Sequence, residues 1–71
     1  MRLTYDPDAD AAYVYLVDVI GPGEVTRTVP SMLELDNAFI AFDLNSDGKI
    51  VGFEILGASR VLPPDTLRTA D

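Results

Sequence analysis

The residues best placed for chemistry lie between Asp43 and Glu54. Asp43-Leu44-Asn45-Ser46-Asp47-Gly48 is followed by five residues and then Glu54, which is the spacing of an EF-hand loop. Calcium takes about six to eight oxygens. In such a loop Asp43, Asn45 and Asp47 would wrap the ion, the Lys49 carbonyl would supply a backbone oxygen, and Glu54 would grip it with both carboxylate oxygens. Ile50 occupies the eighth position, where the motif carries a hydrophobic residue. Upstream, Ser31 and Glu34 make a capping box before Met32, Leu35, Phe39 and Phe42, which fall at helical spacing as an entering helix would need.

The physics of the flanks points the other way. An exiting helix would contain Gly52 and Gly57, each costing about 1 kcal/mol relative to alanine, among the strand formers Val51, Phe53 and Ile55. EF-hands cover their apolar faces by pairing, and this chain has no second loop. Asn45-Ser46-Asp47-Gly48 is also a good turn without any ion, because aspartate bonds nearby amides and glycine accepts the left-handed conformation. The hairpin turn is therefore the favoured reading and brings no cofactor, with calcium binding through Asp43, Asn45, Asp47, Lys49 and Glu54 as the alternative.

Other chemistry is scarce. Histidine and cysteine are absent, which removes the usual general base, the thiol nucleophile and the common zinc ligands, so the chain is expected not to be an enzyme. Asp6, Asp8 and Asp10 alternate around Pro7 and read as a solvated turn. On a strand, Glu54 shares a face with Ile50 and Leu56, so it is expected to be a partly buried structural carboxylate. Its partners would be the hydroxyls of Tyr13 or Tyr15, the Arg60 guanidinium or backbone amides, a network that fixes strand register rather than performs catalysis.

These residues must be positioned by very little chain. Seventy-one residues allow one domain, with a core over about residues 2–62 and a tail or short helix over 63–71. Such a domain buries only about 60% of the surface its unfolded form exposes, and without cysteine it has no disulfide to lean on. Twelve acidic against five basic residues give a formal charge of −7, which repels nucleic-acid phosphates and anionic headgroups and leaves a basic protein as the electrostatically compatible partner. The N-terminus lacks the apolar run of a signal peptide, and no segment approaches the roughly 18 apolar residues of a membrane span. A soluble, cytoplasmic protein is expected. The hydrophobic fraction of 48% is high for a chain with so little interior, so apolar surface is expected to be covered by a second subunit, most simply in a dimer.

Along the chain, Arg2 to Tyr5 alternates as a strand and stops at the Asp6 to Asp10 turn. Ala11 to Ile20 is apolar on both faces and reads as a central strand, with Tyr13, Tyr15, Val17 and Val19 on one face as candidate interface anchors. Gly21-Pro22-Gly23 turns the chain, and Glu24 to Val29 reads as a half-exposed strand ending at Pro30. Leu33 to Leu44 fits both the strand and the helix period. Lys49 to Leu56 returns to strand formers, Ala58 to Leu62 suits a helical turn before Pro63-Pro64, and Asp65 to Asp71 suits a short frayed helix.

Two blocks carry a wider resemblance. Thr4-Tyr5-Asp6-Pro7-Asp8-Ala9-Asp10-Ala11-Ala12-Tyr13-Val14, and later Asp43 to Leu56 followed by Ala58-Ser59, resemble the bacterial domain-of-unknown-function 2283 family in order and spacing, up to about Leu62. Phe53 stands where that family usually has isoleucine. The resemblance implies a mainly antiparallel β domain with a short C-terminal helix, in which the aspartate-glycine block is a hairpin turn. It implies no established activity. Some relatives look like neighbours of putative toxin genes, which would suit an antitoxin-like acidic partner of a basic protein.

The expectation is thus an α+β fold: a small antiparallel sheet of about four to five strands in a hairpin meander, with a short C-terminal helix. Its expected role is that of a small protein-interaction domain that associates with itself.

Overall fold

Five short segments rich in β-branched and aromatic residues form one antiparallel sheet: β1 (Arg2–Asp6), β2 (Ala11–Tyr15), β3 (Arg27–Pro30), β4 (Phe39–Leu44) and β5 (Ile50–Leu56). Two short helices follow, α1 (Ala58–Val61) and α2 (Pro64–Arg68). The computed structural model describes residues 1–35 and 37–71. Asp36, inside the segment that fits both periods, lies outside the described residues.

The strands lie in the order β1-β2-β5-β4-β3. The meander expected from the sequence holds within β1-β2 and within β3-β4-β5, while the long link after β2 carries the chain to the far edge and leaves β5 to pair with both β2 and β4. The expected α+β class is correct, and β2 is an interior strand as expected, but it is half the anticipated length. It ends at Tyr15, after which only the Leu16 amide continues the ladder by bonding the Val51 carbonyl at 2.9 Å. Val17 and Val19 fall beyond it and are 37% and 71% exposed, so they do not share a strand face with Tyr13 and Tyr15.

Both turn signals near the sheet behave as their chemistry dictates. Between β4 and β5, the Asn45 side-chain oxygen accepts the amides of Asp47 and Lys49, each at 3.0 Å, and Gly48 takes a φ of 75°. A bulge at Asp43/Leu44 follows, so Asp43 opposes Gly52 while Leu44 opposes Ile50. The helix-loop-helix frame is not formed, because both arms are strands. Ser31 caps no helix; its Oγ accepts the Leu33 amide at 3.1 Å in a local turn.

The fully buried core is small: Ala12, Ala41, Val51, Ile55 and Ala58, with no large side chain completely enclosed. Ala12, Ile55 and Ala58 form its centre, and Leu3, Tyr5, Ile40, Phe53, Val61, Leu62 and Leu67 pack around them half-covered. The C-terminus returns to the sheet, where the Asp71 amide bonds the Leu3 carbonyl of edge strand β1 at 2.9 Å. Among the described residues no helix is long and apolar enough to cross a membrane.

Candidate functional site

Side chains of directly opposed residues share a face of a sheet, so the register sorts every strand residue onto one of two surfaces. One surface carries Arg2, Tyr15, Gly52, Asp43 and Thr28 in one row, and Thr4, Tyr13, Glu54, Ala41 and Pro30 in the next. The other carries Leu3, Val14, Phe53, Phe42 and Val29 in one row, and Tyr5, Ala12, Ile55 and Ile40 in the next. The core cluster joins α1 and α2 to this second surface. Among the described residues no helix packs against the first.

Polar groups lock this open surface into a fixed pattern. The Tyr13 hydroxyl donates to Asp43 Oδ2 at 2.6 Å, and the Thr28 hydroxyl donates to Asp43 Oδ1 at 2.7 Å. The tyrosine ring reaches Asp43 by passing over Gly52, where an added Cβ would stand 2.6 Å from its hydroxyl oxygen. Burial first, and then the bond to Asp43, push the Tyr13 phenol well above its ordinary pKa. The Tyr15 ring meets Tyr13 edge-on with centroids 4.8 Å apart, and the Arg2 guanidinium sits 4.0 Å over the Tyr15 ring. A continuous chain of contacts thus runs through Arg2, Tyr15, Tyr13, Asp43 and Thr28, binding four strands together across the fifth.

Glu54 lies on this open surface and is exposed, which corrects the expectation of a buried carboxylate. Its face was read correctly in sharing Leu56, but the helices cover the opposite face, so water solvates the group and no partner network is required. The tyrosine hydroxyl expected for Glu54 goes to Asp43 instead. The other residues of the calcium alternative are dispersed in role. Asp43 is tied to Tyr13 and Thr28, the Asn45 side chain holds the turn, and Asp47 and Lys49 sit exposed at its tip. Among the described residues no three carboxylates, histidines or cysteines gather as a metal site would require.

Asp10 is a structural carboxylate whose role the local sequence does not show. It was read as part of a solvated turn, yet its Oδ1 accepts the Tyr5 hydroxyl at 2.7 Å and the Ser59 amide at 2.9 Å, while Oδ2 accepts the Ser59 hydroxyl at 2.7 Å. Its own carbonyl accepts the amides of Gly57 and Ala58 at 2.9 and 3.0 Å. Asp10 thereby satisfies the free amides at the start of α1 from across the molecule, a capping role normally filled by a neighbour in sequence. The local signal was its position at the end of the turn, where its φ of 51° suits Asp or Asn.

The bond from Tyr5, followed by those from Ser59, holds the Asp10 carboxyl below the usual carboxylate range. A depressed folded pKa contributes stability that is complete above the unfolded value of about 4 and is lost as pH falls through the folded value. Asp10→Asn keeps the backbone conformation and removes the charge. Urea midpoints measured from pH 7 to pH 2 should show wild type ahead of the variant near neutrality, with the gap closing in acid. A gap independent of pH would show that the charged form is not what stabilises the junction.

The helix-side surface is of a different kind. The helices pack against this surface, where Leu3, Tyr5, Ile40 and Phe53 join Val61, Leu62 and Leu67 around the core, and the row Leu3-Val14-Phe53-Phe42-Val29 is half-buried along its length. The Phe42 and Phe53 rings are in contact, with centroids 5.6 Å apart. At the β1 end this row opens into a groove of about 340 Å³ lined by Met1, Leu3, Val14, Phe53, Leu62 and Thr66 among others, none of them acidic.

Comparison with known proteins adds no chemistry. The model of a family described as a protein of unknown function, DUF2283, matches residues 2–59. The uncharacterized protein YuzE of Bacillus subtilis (strain 168) is 36% identical over 55 residues, covering 78% of this chain and 40% of the relative. The chain thus spans about two fifths of that relative's length. No solved structure matches.

Proposed function

The chain belongs to the DUF2283 family, whose description assigns no activity, and we propose that it is a protein-interaction domain that works by associating with a second copy of itself. One observation carries this reading. A compact monomer of 7.7 kDa exposes about 4,300 Å² of surface, whereas this chain exposes 4945 Å². The excess of roughly 600 Å² is comparable to the about 800 Å² that each partner contributes to a standard protein interface.

Large apolar side chains contribute to the exposed surface. Met1, Val19, Met32 and Leu33 are each more than two-thirds exposed, while the buried apolar side chains among the described residues are the small or β-branched Ala12, Ala41, Val51, Ile55 and Ala58. A domain this size gains stability when a partner covers such surface, because each 100 Å² of apolar area removed from water contributes about 2.5 kcal/mol before the cost of association. Sedimentation velocity from about 1 to 100 µM should show a species of twice the chain mass growing with concentration. A single species of 7.7 kDa across that range would remove the reading.

A further inference from the structure

Resting on that self-association, we infer that a second copy adds its β1 antiparallel to β1, joining two sheets edge to edge into one. Arg2-Leu3-Thr4-Tyr5-Asp6 is complementary to itself when reversed. Paired about Thr4, Arg2 lies opposite Asp6 of the second copy, Leu3 opposite Tyr5, and Thr4 opposite its own counterpart. Opposite charges and paired threonines are favourable across strands, and Leu3 with Tyr5 adds an apolar pair. The contact is isologous, with the two-fold axis at Thr4. Arg2, Thr4 and Asp6 share the open face, where the Arg2 guanidinium already sits over the Tyr15 ring, while Leu3 and Tyr5 lie on the helix side. Each end of the strand thus brings a cation to an anion, which offsets the repulsion between two chains of formal charge −7.

The backbone has the phase this register needs. Along an antiparallel strand, residues alternate between bonding the neighbour with both backbone groups and turning both outward. The Leu3 carbonyl turns outward, since it accepts the Asp71 amide at 2.9 Å. Leu3 and Tyr5 therefore present their amides and carbonyls at the free edge, and Arg2, Thr4 and Asp6 spend theirs on β2. Leu3 opposite Tyr5 then exchanges both backbone bonds at each of the symmetric positions. Arg2 and Asp6 fall in the closer, non-bonded spacing that suits an ion pair. Sliding the strands by a step of the pleat sets Arg2 opposite Thr4 in one direction. In the other it sets Leu3 opposite Pro7, which has no amide hydrogen.

Other surfaces fit a second copy less well. The open face carries Asp43 and the exposed Glu54, so stacking it on itself would set like charges together. The opposite edge, β3, has four residues and ends at Pro30, which has no amide hydrogen to donate. β1 contains no proline or lysine, and its register with β2 runs unbroken. Met1, 95% exposed beside this edge, falls opposite Pro7 of the second copy, and the apolar groove lined by Met1 and Leu3 opens there too. The Asp71 amide holds the place that the Tyr5 amide of the second copy takes, so residue 71 gives way when the strands pair.

The test uses the wild-type chain and reciprocal charge variants. Arg2→Asp and Asp6→Arg should each weaken dimerisation roughly 10-fold in sedimentation, because each sets like charges opposite one another at both symmetric positions. Mixing the two variants should restore the dimer, since every opposed pair then joins opposite charges again. Asp71→Pro, which removes the competing amide, should tighten dimerisation at least roughly threefold. No gain would mean that the Leu3 carbonyl is not the group the second copy takes, and would overturn the register. Isotope-filtered NMR on an equal mixture of carbon-13-labelled and unlabelled wild-type chain should give a contact between the Thr4 Hα atoms of the two copies, and contacts from the Leu3 methyls to the Tyr5 ring. If both charge variants dimerise like wild type, if their mixture gains nothing, or if the filtered contacts come from Phe39 and Leu56 instead, this inference is overturned while self-association stands. If the wild-type chain sediments only as a monomer, the reading beneath it falls as well. The filtered contacts decide the matter even if a variant fails to fold.

Discussion

Replacing Gly52 by alanine is expected to lower stability by about 3 kcal/mol, the upper part of the range for forcing an extra methyl into packed structure. The cause is not backbone freedom but occupied space. A Cβ at Gly52 would stand 2.6 Å from the Tyr13 hydroxyl oxygen, 2.7 Å from its ring carbon Cε2 and 2.8 Å from the Val14 carbonyl oxygen. The first two belong to a side chain that could swing away only by giving up its bond to Asp43. The third belongs to the backbone of the paired strand and can move only if β2 and β5 separate. Removing the ring with Tyr13→Val should make the two changes non-additive, with the double variant recovering roughly half of the loss and the backbone contact retaining the rest. With a slope of about 1 kcal/mol per molar urea for so small a chain, the single substitution moves the midpoint by roughly 3 M. A shift below roughly 1 M would mean that Tyr13 does not cross Gly52 to reach Asp43.

The larger loss is expected at Gly57, where alanine should cost about 4 kcal/mol. Two effects add at this position. Gly57 has a φ of 74°, a conformation that costs a residue with a side chain about 1–2 kcal/mol. Its missing Cβ would also lie 2.5 Å from the Asn37 carbonyl oxygen and 3.2 Å from the Ala38 Cα, both backbone atoms with no rotamer to escape into. The same residue donates its amide to the Asp10 carbonyl, so displacing it disturbs the anchoring of α1 as well. A domain of this length has a total stability on the order of 3–10 kcal/mol, and Gly57→Ala should therefore leave a substantial unfolded population at room temperature. Its amide resonances should collapse toward random-coil dispersion. A well-dispersed spectrum with a wild-type melting midpoint would show that the α1 junction is not held at Gly57.

These two glycines also mark the boundary of what sequence reading could reach. Both glycines count in the sequence against an exiting helix after the Asp47-Gly48 turn, and β5 (Ile50–Leu56) runs there instead. Neither could be given its structural reason. Gly52 is required by a tyrosine thirty-nine residues away in the chain, and Gly57 by a backbone segment near Asn37. Contacts at that separation leave no trace in local periodicity.

Glu54 shows the same limit from the other side. The strand period placed it correctly on the face shared with Leu56. Which face would be covered depended on where α1 and α2 would settle, and that was decided by Asp10. The carboxylate at the end of the first turn receives Ser59 and anchors the start of α1 on the face of Tyr5, Ala12 and Ile55. The place of Asp10 at the end of the turn is the one local feature that sets it apart from Asp6 and Asp8, while Ser59, which gives it its role, comes from the other end of the chain.

By itself the sequence determined the α+β class, the extended segments at β1, β2, β3 and β5, the turns at Asp6 to Asp10 and Asn45 to Gly48, and how little interior so short a chain can have. Those features depend on side-chain chemistry within a few residues and on the ratio of surface to volume. Tertiary structure alone decided that β5 lies between β2 and β4, that Asp43 becomes the knot of the open face rather than an ion ligand in a helical loop, and that α1 and α2 pack on the other face. Each of these is set by the packing of groups far apart in the chain, where the choice among pairings with similar local preference goes to the arrangement that satisfies the most buried contacts at once.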